Sequence, residues 1–409
     1  MSGITRRLQG LWRHPDFIRL WLGQTVSLLG SSVSGLALPL VAVLTLHASA
    51  SQMGVLQFLN RAPYLLFAPL FGIWVDRVRR RRLLIWTDLA RGLMMLSIPL
   101  GAWLQLLSIA VFWLIALLIA IATLVFELAY RAYLPWLVGR DRILETNSRL
   151  EVSSSTISLV GPPLAGLLVQ LLTAPIAVLV DAISFFASSL SLGLIRRSEG
   201  SPPAAVTRSP GSELRAGFGF QFGHPILRLL MGMTATFNFF MMSFVSLGLL
   251  YQVRELRLSP LQVGIVGGTG ALGALIGAAL VPALNRNLGV GRTLIVARVL
   301  MQLGLVATPA VFGPPALILS MLAAGGIFFG IGINFSNITQ TSYRQTLVPD
   351  SLQGRDCIIA ESWPRRRYRG QHPCRPEQLQ LRLRRRRRPL THLEAGSAGR
   401  FRRVFRFPA

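Results

Sequence analysis

Charged residues are scarce in this sequence, and lysine is absent from it. Only 14% of the 409 residues are charged, whereas 52% are hydrophobic, and soluble domains usually contain about 25% charged residues. This deficit excludes an ordinary soluble protein and indicates that lipid is the main solvent.

Cysteine and histidine are also rare. The cysteines, Cys357 and Cys374, both follow the last long apolar run and show neither metal-ligand spacing nor an assignable disulfide. The few histidines are far apart in sequence, and no set of nucleophile, base and orienting group is recognisable. We therefore expect no enzyme, no cofactor and no metal site.

Long apolar runs dominate the rest of the chain. A spanning helix needs roughly 20 apolar residues. Ten segments qualify, at about residues 17–45, 53–75, 83–107, 109–131, 150–173, 175–195, 225–252, 261–281, 292–312 and 316–341. They lack the alternation of barrel strands, so the sequence predicts an all-α membrane protein. The first segment is too long for a signal-peptide core and should be retained.

The arginines show on which side of the membrane the loops lie. They cluster before the first span, and between the second and third, the fourth and fifth, and the sixth and seventh spans. The opposite loops contain only Arg254 and Arg257. This positive-inside pattern predicts a multi-pass protein in a lipid bilayer with a cytoplasmic N-terminus. The net charge of +26 therefore does not imply a nucleic-acid partner.

The two halves of the chain repeat one another at an offset of about 210 residues. Four matches in the same order, each at an equivalent helix end, indicate duplication of a six-helix unit with parallel halves. The matches are His14-Pro15 with His224-Pro225, Gln52-x-Gly54 with Gln262-x-Gly264, Arg82-x-Leu84-Ile85 with Arg292-x-Leu294-Ile295, and Tyr130-Arg131 with Tyr343-Arg344.

The repeat divides the chain into four parts. An N-terminal six-helix half occupies 1–195, a cytoplasmic linker 196–223, a C-terminal half with only four helices 224–355, and an Arg-rich tail 356–409. The repeat requires two more spans after residue 355, yet the tail contains 15 arginines, 4 acidic residues and no span. We expect a disordered or out-of-frame tail. A native basic tail that attracts nucleic acid or acidic lipid is the alternative.

Two motifs resemble those of a known transporter family. Residues 72–84 read Gly72-Ile73-Trp74-Val75-Asp76-Arg77-Val78-Arg79-Arg80-Arg81-Arg82-Leu83-Leu84, which resembles the G-x-x-x-D-R-x-x-R-R-x-x-L motif of the major facilitator superfamily. Gly161-Pro162-Pro163-Leu164-Ala165-Gly166 resembles the Gly-Pro motif of its antiporters. Residues 130–147 resemble the macrolide and siderophore exporter branch. The resemblance covers residues 10 to about 355.

This resemblance implies a major facilitator fold of six plus six helices. It also implies a monomer in a bacterial inner (plasma) membrane that exports drug-, macrolide- or siderophore-like amphiphiles in exchange for protons. Substrate would bind between two halves that rock between inward-open and outward-open states. The alternative is a truncated, non-transporting membrane fragment from a frameshifted gene.

The resemblance also assigns residues to gating and packing. Gly72, Asp76, Arg77 and Arg81 would form the gating motif, in which Asp76 acts against the start of an eleventh helix that this sequence lacks. In the fifth span, the glycines and prolines of the antiporter motif would set the packing of the halves, namely Gly161, Pro162 and Gly166.

Ionisable residues inside spans are functional candidates because their burial is costly. For proton coupling or a cavity charge, the candidates are Arg61, Glu127 and Asp181. Glu127 could instead pair with Arg131 at i+4, and Asp181 has no obvious local partner. Asp88 is expected to pair with Arg91 at i+3, near the cytoplasmic face.

Neutral polar residues supply the remaining candidates, because residues 256–349 contain no Asp or Glu. Possible substrate contacts are Gln24, Asn60, Asn238, Asn334 and Asn337, although hydrogen bonding between helices is the alternative. Residues 268–273 spell a dinucleotide-binding pattern without the required strand. Their glycines are therefore expected to allow close helix packing.

Overall fold

The computed structural model describes residues 15–139, 142–197, 199 and 225–347, and every regular element in these ranges is helical. The helices are α1 (Pro15–Leu40, continued by a π-helical turn at Val41–Thr45), α2 (Ala50–Leu66), α3 (Ala68–Arg77), α4 (Arg80–Trp103), α5 (Ile109–Val138), α6 (Ile143–Leu172), α7 (Ala174–Gly193), α8 (Pro225–Arg254), α9 (Pro260–Ala307) and α10 (Pro315–Leu347).

All ten predicted spans correspond to helical segments, but their boundaries differ in places. The spans predicted at 83–107, 175–195 and 292–312 run past the helix ends at Trp103, Gly193 and Ala307. The second span is broken at Phe67 into α2 and α3, because the proline at the start of α3 has no N–H for a continuous helix. The eighth and ninth spans form one element, α9, with a kink at Gly289, where φ is 76°. Eight described helices are long and apolar enough to cross a membrane.

The N-terminal half packs around α1, α4 and α7. α7 lies against both α1 and α4, while α5 packs on α2, α3 and α4. Glycines on α1 permit the close approach of α7. A Cβ added at Gly23 would lie 2.9 Å from the Cβ of Ser191, and one at Gly30 would lie 2.1 Å from the Ser184 hydroxyl. Small residues bring helices together in this way in membrane bundles.

Arginines cap helices at one end of this half, which we call the arginine-rich end. Arg81 donates through Nε to the carbonyl of Leu192 (3.1 Å) and through Nη2 to that of Gly193 (2.7 Å), at the C-terminus of α7. Arg197 donates to the carbonyl of Leu137 (2.7 Å), at the C-terminus of α5. Cations at helix C-termini complement the helix dipole, so this charge stabilises the fold locally.

The two halves meet near the other end of the bundle, which we call the opposite end. There α9 packs against α6, and α8 packs against α2. Arg254, at the end of α8, donates to the carbonyl of Ala48 (2.8 Å), just before α2. Apolar side chains near the end of α8, including Leu249 and Val253, pack on the core of the N-terminal half.

Candidate transport site

Glycine and proline residues form the closest contacts between α6 and α9. Carbonyl oxygens approach two glycines closely: an added Cβ at Gly264 would lie 2.3 Å from the oxygen of Pro162, and one at Gly166 would lie 2.3 Å from that of Pro260. One at Gly268 would lie 2.9 Å from Pro163. The antiporter-like motif and the glycines of the eighth span therefore form one tightly packed seam between the halves.

This seam occupies only part of the length of the bundle. It includes the first residues of α9 and the second half of α6, where the side chain of Gln170 accepts a hydrogen bond from the backbone N–H of Leu261 (3.3 Å). Among the described residues, the packed contacts between the halves lie toward the opposite end. The described contacts thus join the two halves at this end of the bundle.

Glu127 has a different partner from the one considered in the sequence. Its Oε1 accepts a hydrogen bond from the Tyr64 hydroxyl (3.1 Å) on α2, whereas Arg131 is exposed. Arg61 lies one turn before Tyr64 and is also exposed, and its charge acts on the Tyr64 hydroxyl. Glu127, Tyr64 and Arg61 thus form a half-accessible polar group between α2 and α5.

Asp181 is fully buried between α7 and α1. Its Oδ1 accepts hydrogen bonds from Ser184 (3.0 Å), one turn away, and from Ser31 (3.4 Å) on α1. The sequence reading overlooked the Ser184 partner at i+3. The Arg91 charge on α4 also acts on this carboxyl. Asp181 therefore lies in the interior of the N-terminal half.

The predicted pair between Asp88 and Arg91 is confirmed, but it is deeper than expected. The two side chains form an ion pair, and both residues are buried. The Arg91 guanidinium lies over the rings of Phe126 (4.1 Å to the centroid) and Phe185 (4.3 Å), where cation–π attraction adds to the ion pair.

The gating candidates are only partly described. The side chain of Asp76 lies outside the described residues, Arg77 is exposed, and a Cβ at Gly72 would meet no atom within 4 Å. Arg81 caps α7 through the hydrogen bonds given above. Its backbone N–H also donates to the Glu199 carboxylate of the linker (3.0 Å), and its role in gating stays a prediction.

The amide candidates differ in accessibility. Asn334 donates to the carbonyl of Ala274 (2.5 Å) on α9, as expected for hydrogen bonding between helices. Asn238 and Asn337 are exposed, and Gln24 and Asn60 are half-buried. Exposed amides could contact a substrate, whereas the Asn334 amide already has a partner.

One cation in the C-terminal half was overlooked in the sequence. Arg298 on α9 lies over the ring of Phe237 (5.0 Å to the centroid). It borders an apolar, half-open cavity of ≈ 250 Å³ that Met233, Leu294, Ile295, Val299 and Gln340 also line. At the repeat offset of 210 residues, Arg298 aligns with Asp88. This alignment could have indicated a charged residue inside the C-terminal half.

Comparison with known proteins places this architecture in a family. The profile of the Major Facilitator Superfamily matches residues 20–356. The chain is 26% identical over 336 residues to a protein named multidrug efflux pump Tap of Mycolicibacterium fortuitum, covering 80% of each chain. It is 24% identical over 346 residues to a protein named enterobactin exporter EntS of Escherichia coli O1:K1, covering 84% of this chain and 80% of that one.

Solved transporter structures share the fold at low identity. A bacterial homologue of the iron transporter ferroportin, in an inward-facing state, aligns with a TM-score of 0.62 and 18% identity, covering 83% of this chain and 86% of that one. The nucleoside transporter NupG aligns with a TM-score of 0.63 and 13% identity, covering 82% and 84%. The family model and the efflux relatives do not favour the alternative of a non-transporting fragment. The predicted out-of-frame tail lies outside the described residues and stays a prediction.

Proposed function

The chain belongs to the major facilitator superfamily, and from this we propose that it exports amphiphilic small molecules by proton antiport and alternating access. Its substrates would be drug-, macrolide- or siderophore-like. It would act as a monomer in the bacterial inner membrane, with its N-terminus in the cytoplasm. Similarity to both a multidrug pump and a siderophore exporter supports export of amphiphiles as the shared activity.

The position of the contacts between the halves is the observation that best supports alternating access. The described contacts lie along the glycine-proline seam of α6 and α9 and around the end of α8. Arginine-rich loops face the cytoplasm in membrane proteins, so halves joined at the opposite end would open toward the cytoplasm to receive substrate. In alternating access, this seam must open when the cavity turns to face the other side of the membrane. Gly264 and Gly166 allow the backbones to meet there without interlocking side chains.

Glu127 is our candidate for sensing protons and substrate. The family resemblance implies that the fourth membrane span lines the cavity, and in this chain that span is α5. There the Glu127 carboxylate is half-buried and hydrogen-bonded to Tyr64. Arg61 lies one turn from Tyr64 and would help to hold the Glu127 charge. Asn238 and Asn337, which are exposed, would offer amides to the polar groups of an amphiphile.

Efflux of a fluorescent amphiphilic dye, ethidium, tests this function. Cells that express the chain are loaded with dye, and fluorescence loss is followed with and without a protonophore. We expect export that the protonophore stops, and a strong reduction in Glu127→Gln. Glu151→Gln is the matched control, because Glu151 is an exposed acid of the same half. Efflux no faster than from cells with an empty vector, for ethidium and for an anionic catechol dye, would contradict the proposal.

A further inference from the structure

A second set of charged residues lies inside the N-terminal half, away from the Glu127 group. We call Asp88, Arg91 and Asp181 the buried triad. Asp88 and Asp181 are 0% exposed, and Arg91 is 4% exposed. Asp88 and Arg91 lie on α4, while Asp181 lies on α7, which packs against α4. Charged residues this deep in a membrane protein are costly and therefore indicate function.

The charges of the triad do not balance. Two carboxylates share a single guanidinium, which forms an ion pair with Asp88 and is fixed between the rings of Phe126 and Phe185. Asp181 is thus left without an ion-pair partner of its own among the described residues. With both acids ionised, the triad would hold one uncompensated negative charge, which a dry interior strongly disfavours.

The surroundings of Asp181 show where the balancing charge would be bound. Hydroxyls of Ser31 and Ser184 donate to its Oδ1, and Ser34 lies close to the carboxyl. Its buried Oδ2 has no hydrogen-bond partner in the described part of the chain. A proton on Oδ2 would neutralise the group without displacing either donor, because Ser31 and Ser184 both donate to Oδ1.

The backbone of α1 is shaped around this carboxyl. A Cβ added at Gly30 would lie 2.7 Å from Oδ1 of Asp181 and 2.1 Å from the Ser184 hydroxyl. Only glycine lets α1 approach closely enough for Ser31 to reach the acid. The hydroxyls around Asp181 are therefore supplied by two helices in direct contact.

Arg91 is the cation that both acids of the triad face. It forms an ion pair with Asp88, and its charge also acts on Asp181. The groups described around Asp181 are this cation from α4, the Ser184 hydroxyl on α7, and the hydroxyls of Ser31 and Ser34 on α1. A movement of Arg91 would therefore change the balance of charge between Asp88 and Asp181.

We infer that Asp181 is a proton-binding site. A proton from solvent forms an O–H bond with Oδ2, and when Arg91 turns toward Asp181 this bond breaks, the proton returns to water and the carboxylate stays behind. This inference rests on the proposed proton antiport and names the acid that holds the transported proton. Protonated Asp181 leaves Arg91 paired with Asp88. Deprotonated Asp181 would draw Arg91 from Asp88, which would couple proton release to a movement of α4 against α7.

Infrared spectroscopy of the purified full-length protein in detergent tests the inference without requiring transport. The C=O stretch of a protonated, buried carboxyl group is distinct from carboxylate bands and shifts in heavy water. We expect this band at neutral pH in the wild type and in Glu151→Gln. In Asp181→Asn we expect it to lose the contribution of one carboxyl group. A band that remains unchanged in Asp181→Asn would overturn the inference.

A second variant distinguishes proton binding by Asp181 from misfolding and from a purely structural role of this residue. Asp88→Asn removes the present partner of Arg91, so that Arg91 becomes available to Asp181 and favours its ionised form. The contribution of Asp181 to the band should then be lost at neutral pH and return on acidification. A purely structural role of Asp181 would not produce this change. A band in Asp88→Asn that titrates as in the wild type would contradict the assignment. Elution as a single species in size-exclusion chromatography checks folding.

Sodium distinguishes a proton site from a metal-cation site. Oxygen ligands also suit Na⁺, so the wild-type spectrum is recorded in sodium chloride and in choline chloride. Equal bands in both salts support proton binding, and a band that sodium removes overturns it. If the band is present but no efflux occurs, the proposed function fails and the proton site stands. If efflux occurs without the band, only the inference fails.

Discussion

The tight seam between α6 and α9 makes a single methyl group a sharp probe of how the halves meet. In Gly264→Ala, the new Cβ would lie 2.3 Å from the carbonyl oxygen of Pro162 and 3.1 Å from the Cα of Gly166. Both neighbours are backbone atoms and cannot rotate away. The halves must therefore move apart, which weakens the state in which they touch.

The magnitude follows from comparison with a matched glycine on the same helix. A Cβ at Gly270 would meet only the carbonyl oxygen of Gly326, at 3.8 Å, an ordinary contact. Glycine to alanine in a helix interior contributes about 1 kcal/mol of favourable propensity at either position, so this contribution cancels between the two variants. Overpacking costs about 1–3 kcal/mol, which corresponds to a shift of about 5- to 150-fold in the equilibrium between touching and separated halves.

Crosslinking across the seam measures this shift. Gln170→Cys and Leu261→Cys place thiols at two residues that are hydrogen-bonded across it, in a background with Cys357→Ser and Cys374→Ser. We expect the rate of reaction with a short bifunctional thiol reagent to fall in Gly264→Ala and to be unchanged in Gly270→Ala. If both variants react as fast as the parent that keeps both glycines, the steric argument is refuted. If both are slowed equally, any added methyl group disturbs α9.

Three further predictions concern the N-terminal half. Arg91→Met should lower the free energy of unfolding in detergent by about 3–5 kcal/mol, because it leaves a buried carboxylate unpaired, and a loss below about 1 kcal/mol would contradict the ion pair. Arg81→Ala should cost about 1–3 kcal/mol in the same assay through lost hydrogen bonds to the end of α7, whereas Arg82→Ala, at an exposed neighbour, should cost nothing measurable. Tyr64→Phe removes a hydrogen bond of about 1 kcal/mol from Glu127 and should slow ethidium efflux about fivefold without changing thermal stability, so unchanged efflux would exclude Tyr64 from the site.

Local sequence patterns were sufficient for the membrane helices and for contacts within one helix. Apolar length determines where a chain can cross a bilayer, and each of the ten predicted spans coincides with a helical segment over most of its length. The pairing of Asp88 with Arg91 follows from helical spacing at i+3, and the structure contains it. Glycines and prolines in two predicted spans indicated close packing, and they meet at the seam of α6 and α9.

Only the tertiary structure decided which distant residues meet. Tyr64 reaches Glu127 across 63 positions, Arg81 reaches Leu192 across 111, and Ser31 reaches Asp181 across 150. No periodicity joins such pairs, because the angles and depths at which helices pack depend on many side chains together. Glu127 therefore seemed to belong with Arg131, and Asp181 seemed to have no partner. The sequence by itself determined a helical membrane protein with two related halves, whereas packing decided which of its few charges are enclosed together.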